Sequence, residues 1–132
     1  MRSYDIRLIA LTIGADPKWV DNLLSQNELP GVTRGRQGVQ RRITDEGMLA
    51  IELTRMLTRD AGIPVARAAD IARAAIRSRS DREMQVRLPS GLAFCFAASD
   101  IERRLRERIA VAIESTARVR RGRPPMTARA DN

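Results

Sequence analysis

The stretch Ile13-Gly14-Ala15-Asp16-Pro17 stops one helix and starts another within five residues. Gly14 is a turn residue with easy access to left-handed backbone. Asp16 has the short carboxylate of a helix N-cap, and Pro17 has the fixed φ and missing N–H that suit a first helical position. This punctuation decides an otherwise ambiguous segment. Residues 4–13, YDIRLIALTI, place Ile6, Ile9, Ala10 and Ile13 on one helical face, yet Ile6, Leu8 and Ala10 also alternate as in a strand. A turn into a capped helix favours helix on both sides. Two short helices, 4–13 and 17–27, joined by a tight glycine-containing turn make a helix-turn-helix candidate. On the second, Trp19, Val20, Leu23 and Leu24 line one side, and Lys18, Asp21, Asn22 and Ser25 the other. Pro30 and Gly31 end it.

The next stretch, RGRQGVQRR at 34–42, holds four arginines, two glycines and no acid. Val32, Val39 and Ile43 are β-formers around it, which predicts a small two-stranded hairpin, a wing, with an arginine-studded tip. Thr44 then caps a long helix with Asp45 and Glu46 in its positive first turn. Leu49, Leu53, Met56 and Leu57 are its apolar stripe. Gly62 is the expected left-handed stop, and Pro64 opens a helix to about 77 with Val65, Ala68, Ala69, Ala72 and Ile76 inward. Over 83–97 the period changes to two. Met84, Val86 and Leu88, then Leu92, Phe94 and Phe96, alternate about a Pro89-Ser90-Gly91 turn. Ser99 and Glu102 form a capping box for a last helix to about 118, with Ile101, Leu105, Ile109, Ala112, Ile113 and Ala117 as its stripe.

The fold class expected is mainly α. A winged helix-turn-helix over 1–78 is followed by a β-hairpin and C-terminal helix over 79–118, a dimerisation or partner-binding extension. A basic flexible tail occupies 119–132.

Composition limits the chemistry. The chain of 132 residues has no histidine and one cysteine, Cys95. Within one chain this rules out a cysteine/histidine zinc site and a disulfide. The usual general base is missing too, and no carboxylate pair stands out. An enzyme is not expected, nor a cofactor or metal. Cys95, in an alternating apolar run, reads as a small packed hydrophobe. The opening residues lack a signal-peptide cleavage pattern, and no stretch approaches the roughly 18–20 apolar residues of a membrane helix. A cytoplasmic, soluble chain without membrane contact is expected.

The net charge of +8 is concentrated rather than spread. Residues 43–83 balance seven basic against seven acidic side chains, whereas residues 34–42 carry four arginines unopposed and residues 118–132 five against one aspartate. Compact, acid-poor clusters of this kind favour polyanion contacts.

Residues 6–76 resemble the MerR superfamily of winged helix-turn-helix DNA-binding domains. Ile6, Ala10, Gly14 and Ala15 stand where the family opens Ile-x-x-x-Ala-x-x-x-Gly-hydrophobic. Asp16-Pro17-Lys18 is similar to its Ser-Pro-basic helix start. Arg34 to Arg42 ahead of Thr44 resembles its wing, and Ala61-Gly62-Ile63 its Leu-Gly-Phe break. The resemblance implies double-stranded DNA as partner, with the 17–27 helix in the major groove. Lys18, Asn22, Ser25 and Gln26 would then face base edges, since Asn pairs with adenine and Lys with guanine. Arg34, Arg36, Arg41 and Arg42 would grip backbone or minor groove. Asp21 departs from the family's basic residue and would repel phosphate unless it pairs with Lys18 or faces a cytosine amino group. A hairpin and capped helix replace the family's long dimerisation helix, so the resemblance extends to DNA binding and not to metal, drug or redox sensing.

The segment RRGRPP, 120–125, resembles an AT-hook, in which Gly122 lets the chain reach the minor-groove floor and Arg121 and Arg123 enter its negative potential. The alternative is a solvated basic tail. A sequence-specific transcriptional regulator, acting as a homodimer, is the function expected. Leu8 and Leu11 either widen the buried face of the first helix or form a dimer surface. The rivals are an architectural, excisionase-like DNA-bending protein of a mobile element and an antitoxin-like adaptor that binds a protein partner through 83–118.

Overall fold

The computed structural model describes residues 2–33, 38–78 and 83–122, with side chains to 118. Among the described residues are five helices and two short antiparallel strand pairs. The chain enters through β1 (Ser3–Tyr4), so α1 (Ile6–Ile13) starts two residues later than its periodicity predicts. Asp5 caps it, accepting from the Leu8 N–H at 2.9 Å. Gly14, at φ 75°, closes it in the left-handed region. The helix α2 (Pro17–Gln26) starts as predicted, with the Asp16 carboxylate accepting from the Lys18 N–H at 2.9 Å.

At its base the predicted wing is joined by a third segment. β2 (Ile43–Thr44) pairs with β1, Tyr4 opposite Ile43 and Ser3 opposite Thr44, while Val32 adds a single bridge to Ile43. Ile43 is fully buried between these partners. Thr33 and Arg42 close the loop: the Thr33 N–H donates to the Arg42 carbonyl at 3.0 Å, and the Arg42 N–H to Thr33 Oγ1 at 2.8 Å. The expected tip, with Arg34 and Arg36, lies outside the described residues.

Thr44 caps α3 (Asp45–Ala61) through the Gly47 N–H, and Gly62 ends it at φ 67°. Then come α4 (Val65–Arg77) and the strands β3 (Met84–Arg87) and β4 (Ala93–Phe96), paired in the register Met84–Phe96 to Arg87–Ala93. The turn of this hairpin is as predicted, with Gly91 at φ 95°. Cys95 is exposed, correcting its reading as a packed hydrophobe: the alternation turns Phe94 and Phe96 inward and Cys95 outward. The last helix, α5 (Ala98–Gly122), starts before Ser99 and continues four residues past its expected end. The Asp100 and Ile101 N–H groups both donate to the Ala97 carbonyl, so Ser99 lies within the first turn and is not the cap. This earlier start buries Ala98.

One apolar core joins the segments. Ile9, Val20, Ile43, Leu49, Ile51 and Leu53 are packed with Ile101, Leu105 and Ile109 of α5. Each such aliphatic side chain contributes about 1.5–3 kcal/mol on burial. Ala68, Ala69, Ala72 and Ala75 let α4 approach α3 closely. Met84 and Phe96 pack on this core, and Leu88 and Phe94 on a satellite of Leu57, Ile63 and Ala68. Ile113, predicted inward, is 36% exposed, so the buried stripe of α5 is narrower than its sequence period. No helix among the described residues is long and apolar enough to cross a membrane.

Candidate nucleic-acid interface

The residues that α2 buries and those it exposes follow its 3.6-residue period. Val20, Leu23 and Leu24 enter the core, and Trp19 packs partly against it. Lys18, Asp21, Asn22, Ser25 and Gln26 are all exposed.

Arg41, on the returning arm of the basic loop, reaches this exposed edge. Its Nη1 donates to Asp21 Oδ1 at 2.9 Å, and its Nη2 lies 3.5 Å from Ser25 Oγ. The cation that neutralises Asp21 is therefore Arg41 rather than the Lys18 considered from sequence. Arg42 points elsewhere. Its Nε donates to Ser3 Oγ at 3.1 Å and its Nη2 to the Ser3 carbonyl at 2.7 Å. The divergence is that of successive side chains on an extended backbone. The structure thus gathers Lys18, Asn22, Ser25, Gln26 and Arg41, and sets Arg42 on β1. Arg121 is in the last turn of α5, and Arg123 lies outside the described residues.

Two glycines hold the start of the loop. The Gly31 carbonyl accepts from the Thr44 N–H at 2.9 Å and from Thr44 Oγ1 at 3.0 Å. A Cβ on Gly47 would fall 2.6 Å from that same carbonyl oxygen, and one on Gly31 would collide with Thr44 Oγ1 and the Gly47 backbone. This contact fastens the loop's outgoing arm to the first turn of α3, while Arg41 fastens its returning arm to α2.

Between the starts of α1 and α2 and this arm lies a groove of about 660 Å³, lined by Asp5, Arg7, Lys18, Asp21, Val39 and Arg41 among others. Arg7 was not singled out from the sequence. It stands on the polar face of α1, and only the packing of α1 on α2 brings it near Lys18. Three cations facing two carboxylates suit a phosphate chain better than a cationic ligand.

A second cluster also escaped the sequence reading. Glu52 is 3% exposed, on the face of α3 that packs under α1 and α5. Its position, three residues after Leu49 and four before Met56, sets a charge inside the apolar stripe, and that is the signal that could have found it. Burial raises its pKa, opposed by Arg55 and then Arg108. Among the described residues no group of histidine, cysteine and carboxylate side chains could hold a metal ion. Compared with family models, curated proteins and solved structures, the chain matches none.

Proposed function

We propose that the protein is a sequence-specific DNA-binding transcriptional regulator of the winged helix-turn-helix kind, working as a homodimer on double-stranded DNA. The observation that carries this reading is the exposed α2 edge with the basic loop fastened to it through Arg41 and Asp21. Lys18, Asn22 and Gln26 recur every four residues, so they span about 12 Å of helix axis. That length covers three to four base pairs at about 3.4 Å each. A helix of ten residues enters a major groove about 12 Å wide. In this arrangement Asn22 pairs with an adenine edge and Lys18 with a guanine, each worth about 1–3 kcal/mol of discrimination. The loop arginines supply phosphate contacts that are indifferent to sequence. A second copy would sit on the exposed Leu11 and Val111, which line one groove between α1 and α5.

The salt dependence of duplex binding tests the loop's part. Each phosphate neutralised steepens the slope of log K against log salt by about 0.9. Replacing Arg34 and Arg36 with Ala should flatten the slope by about two units with folding intact. An unchanged slope removes the loop from the interface.

A further inference from the structure

A pocket of about 540 Å³ lies between the C-terminal end of α1, one face of α3 and the first half of α5, well inside the size range of small-molecule sites. Its floor is Glu52, whose side chain is 5% exposed. Glu52 Oε1 accepts from Arg55 Nη1 at 3.5 Å and Oε2 from Arg108 Nη1 at 3.4 Å. Both contacts are at the outer limit for a hydrogen bond, and a carboxylate offers about four acceptor sites. A buried carboxylate so lightly held has capacity for a further donor.

The rim has the opposite character. Arg59, paired at 2.8 Å with Asp60 on the same rim, and Arg108 are each 54% exposed at the side chain, and Arg104 is exposed with no acidic partner among the described residues, so the rim's available cations are Arg104 and Arg108. Leu11, Met56 and Ile101 supply apolar wall between floor and rim. A simple anion held by the rim would face Glu52, and a simple cation would have to pass the guanidinium groups to reach it. A molecule carrying both charges, with an apolar body, satisfies floor, rim and wall together.

We propose that this pocket binds a free amino acid, with its ammonium group on Glu52, its carboxylate between Arg104 and Arg108, and its side chain against Met56 and Ile101. The occupant would also lie beside Gly14, whose carbonyl accepts from Arg55 Nη2 at 3.2 Å at the turn into α2. The inference does not depend on DNA binding.

The test uses the full chain without DNA. Thermal unfolding and titration calorimetry are run at constant ionic strength with each of the twenty common L-amino acids. Acetate and methylammonium serve as half-molecule controls. At least one amino acid should raise Tm in a concentration-dependent way. Arg104→Ala should weaken its binding at least tenfold, and Glu52→Gln should abolish it. Arg104 is exposed, so its variant reports even if Glu52→Gln fails to fold. The proposal is overturned if no amino acid shifts Tm, if binding is unchanged in Arg104→Ala, or if acetate alone reproduces the effect. Such a failure would leave the DNA proposal untouched.

Discussion

Arg41 and Asp21, twenty residues apart in sequence, meet at 2.9 Å and join the basic loop to the exposed edge of α2. Asp21 is 55% exposed at the side chain, so the pair adds little to stability, about 0–1 kcal/mol. Its consequence is geometric, because it sets where the loop stands relative to the side chains that would face bases. Asp21→Asn should therefore leave the urea midpoint nearly unchanged. It should also reduce discrimination between specific and random duplexes more than it reduces affinity for random DNA. Competition binding measures both, and equal losses would contradict a positioning role.

Glu52 gives the stability a pH dependence of defined sign. Burial raises its folded-state pKa above the ordinary 4.5, so the folded protein keeps a proton that the unfolded chain has released. Stability from this group is fully present below pH 4.5 and is lost as pH rises through the raised value. Urea unfolding from pH 4 to 7 should show the difference between the unmodified protein and Glu52→Gln changing across that window. Parallel curves would show that the carboxyl titrates alike in both states.

Gly14 and Gly31 share the left-handed conformation but not the surroundings. At Gly14 a Cβ meets nothing within 4 Å, so Gly14→Ala should cost only the backbone term, about 1–2 kcal/mol. At Gly31 the same change adds the collision with Thr44 and Gly47. Gly31→Ala should therefore be clearly the more destabilising in urea denaturation, and equal losses would contradict the close approach.

Thr58 Oγ1 is buried with no hydrogen-bond partner among the described residues. An unsatisfied buried hydroxyl costs about 1–3 kcal/mol, whereas an apolar isostere costs nothing of the kind. Thr58→Val should be neutral or stabilising in thermal unfolding, and a marked loss would reveal a partner for the hydroxyl.

Local chemistry was legible in the sequence. Asp16-Pro17, Thr44, Gly62 and the Pro89–Gly91 turn each carry their own reason to start or stop an element, and each does so where expected. Pairings between distant segments were not. The sequence has no stop between Tyr4 and the stripe that begins at Ile6, and only Ile43, far along the chain, makes Tyr4 a strand residue. Ser99 meets the capping rule, yet burying Ala98 starts the helix earlier. For the candidate interface, period alone separated the wet edge of α2 from its buried side. The partner of Asp21 required the fold, because Lys18 is its neighbour in sequence whereas Arg41, twenty residues on, reaches it only in space.

The most direct test of base reading by α2 is selection of duplexes from a random pool, by the unmodified protein and by a Lys18→Ala/Asn22→Ala variant. Both positions are exposed, so the fold should survive the change. The unmodified protein should enrich a defined motif, and the variant should lose preference over a contiguous block of about three to four base pairs while still binding DNA. If no motif is enriched, or the variant enriches the same motif equally well, α2 does not read DNA.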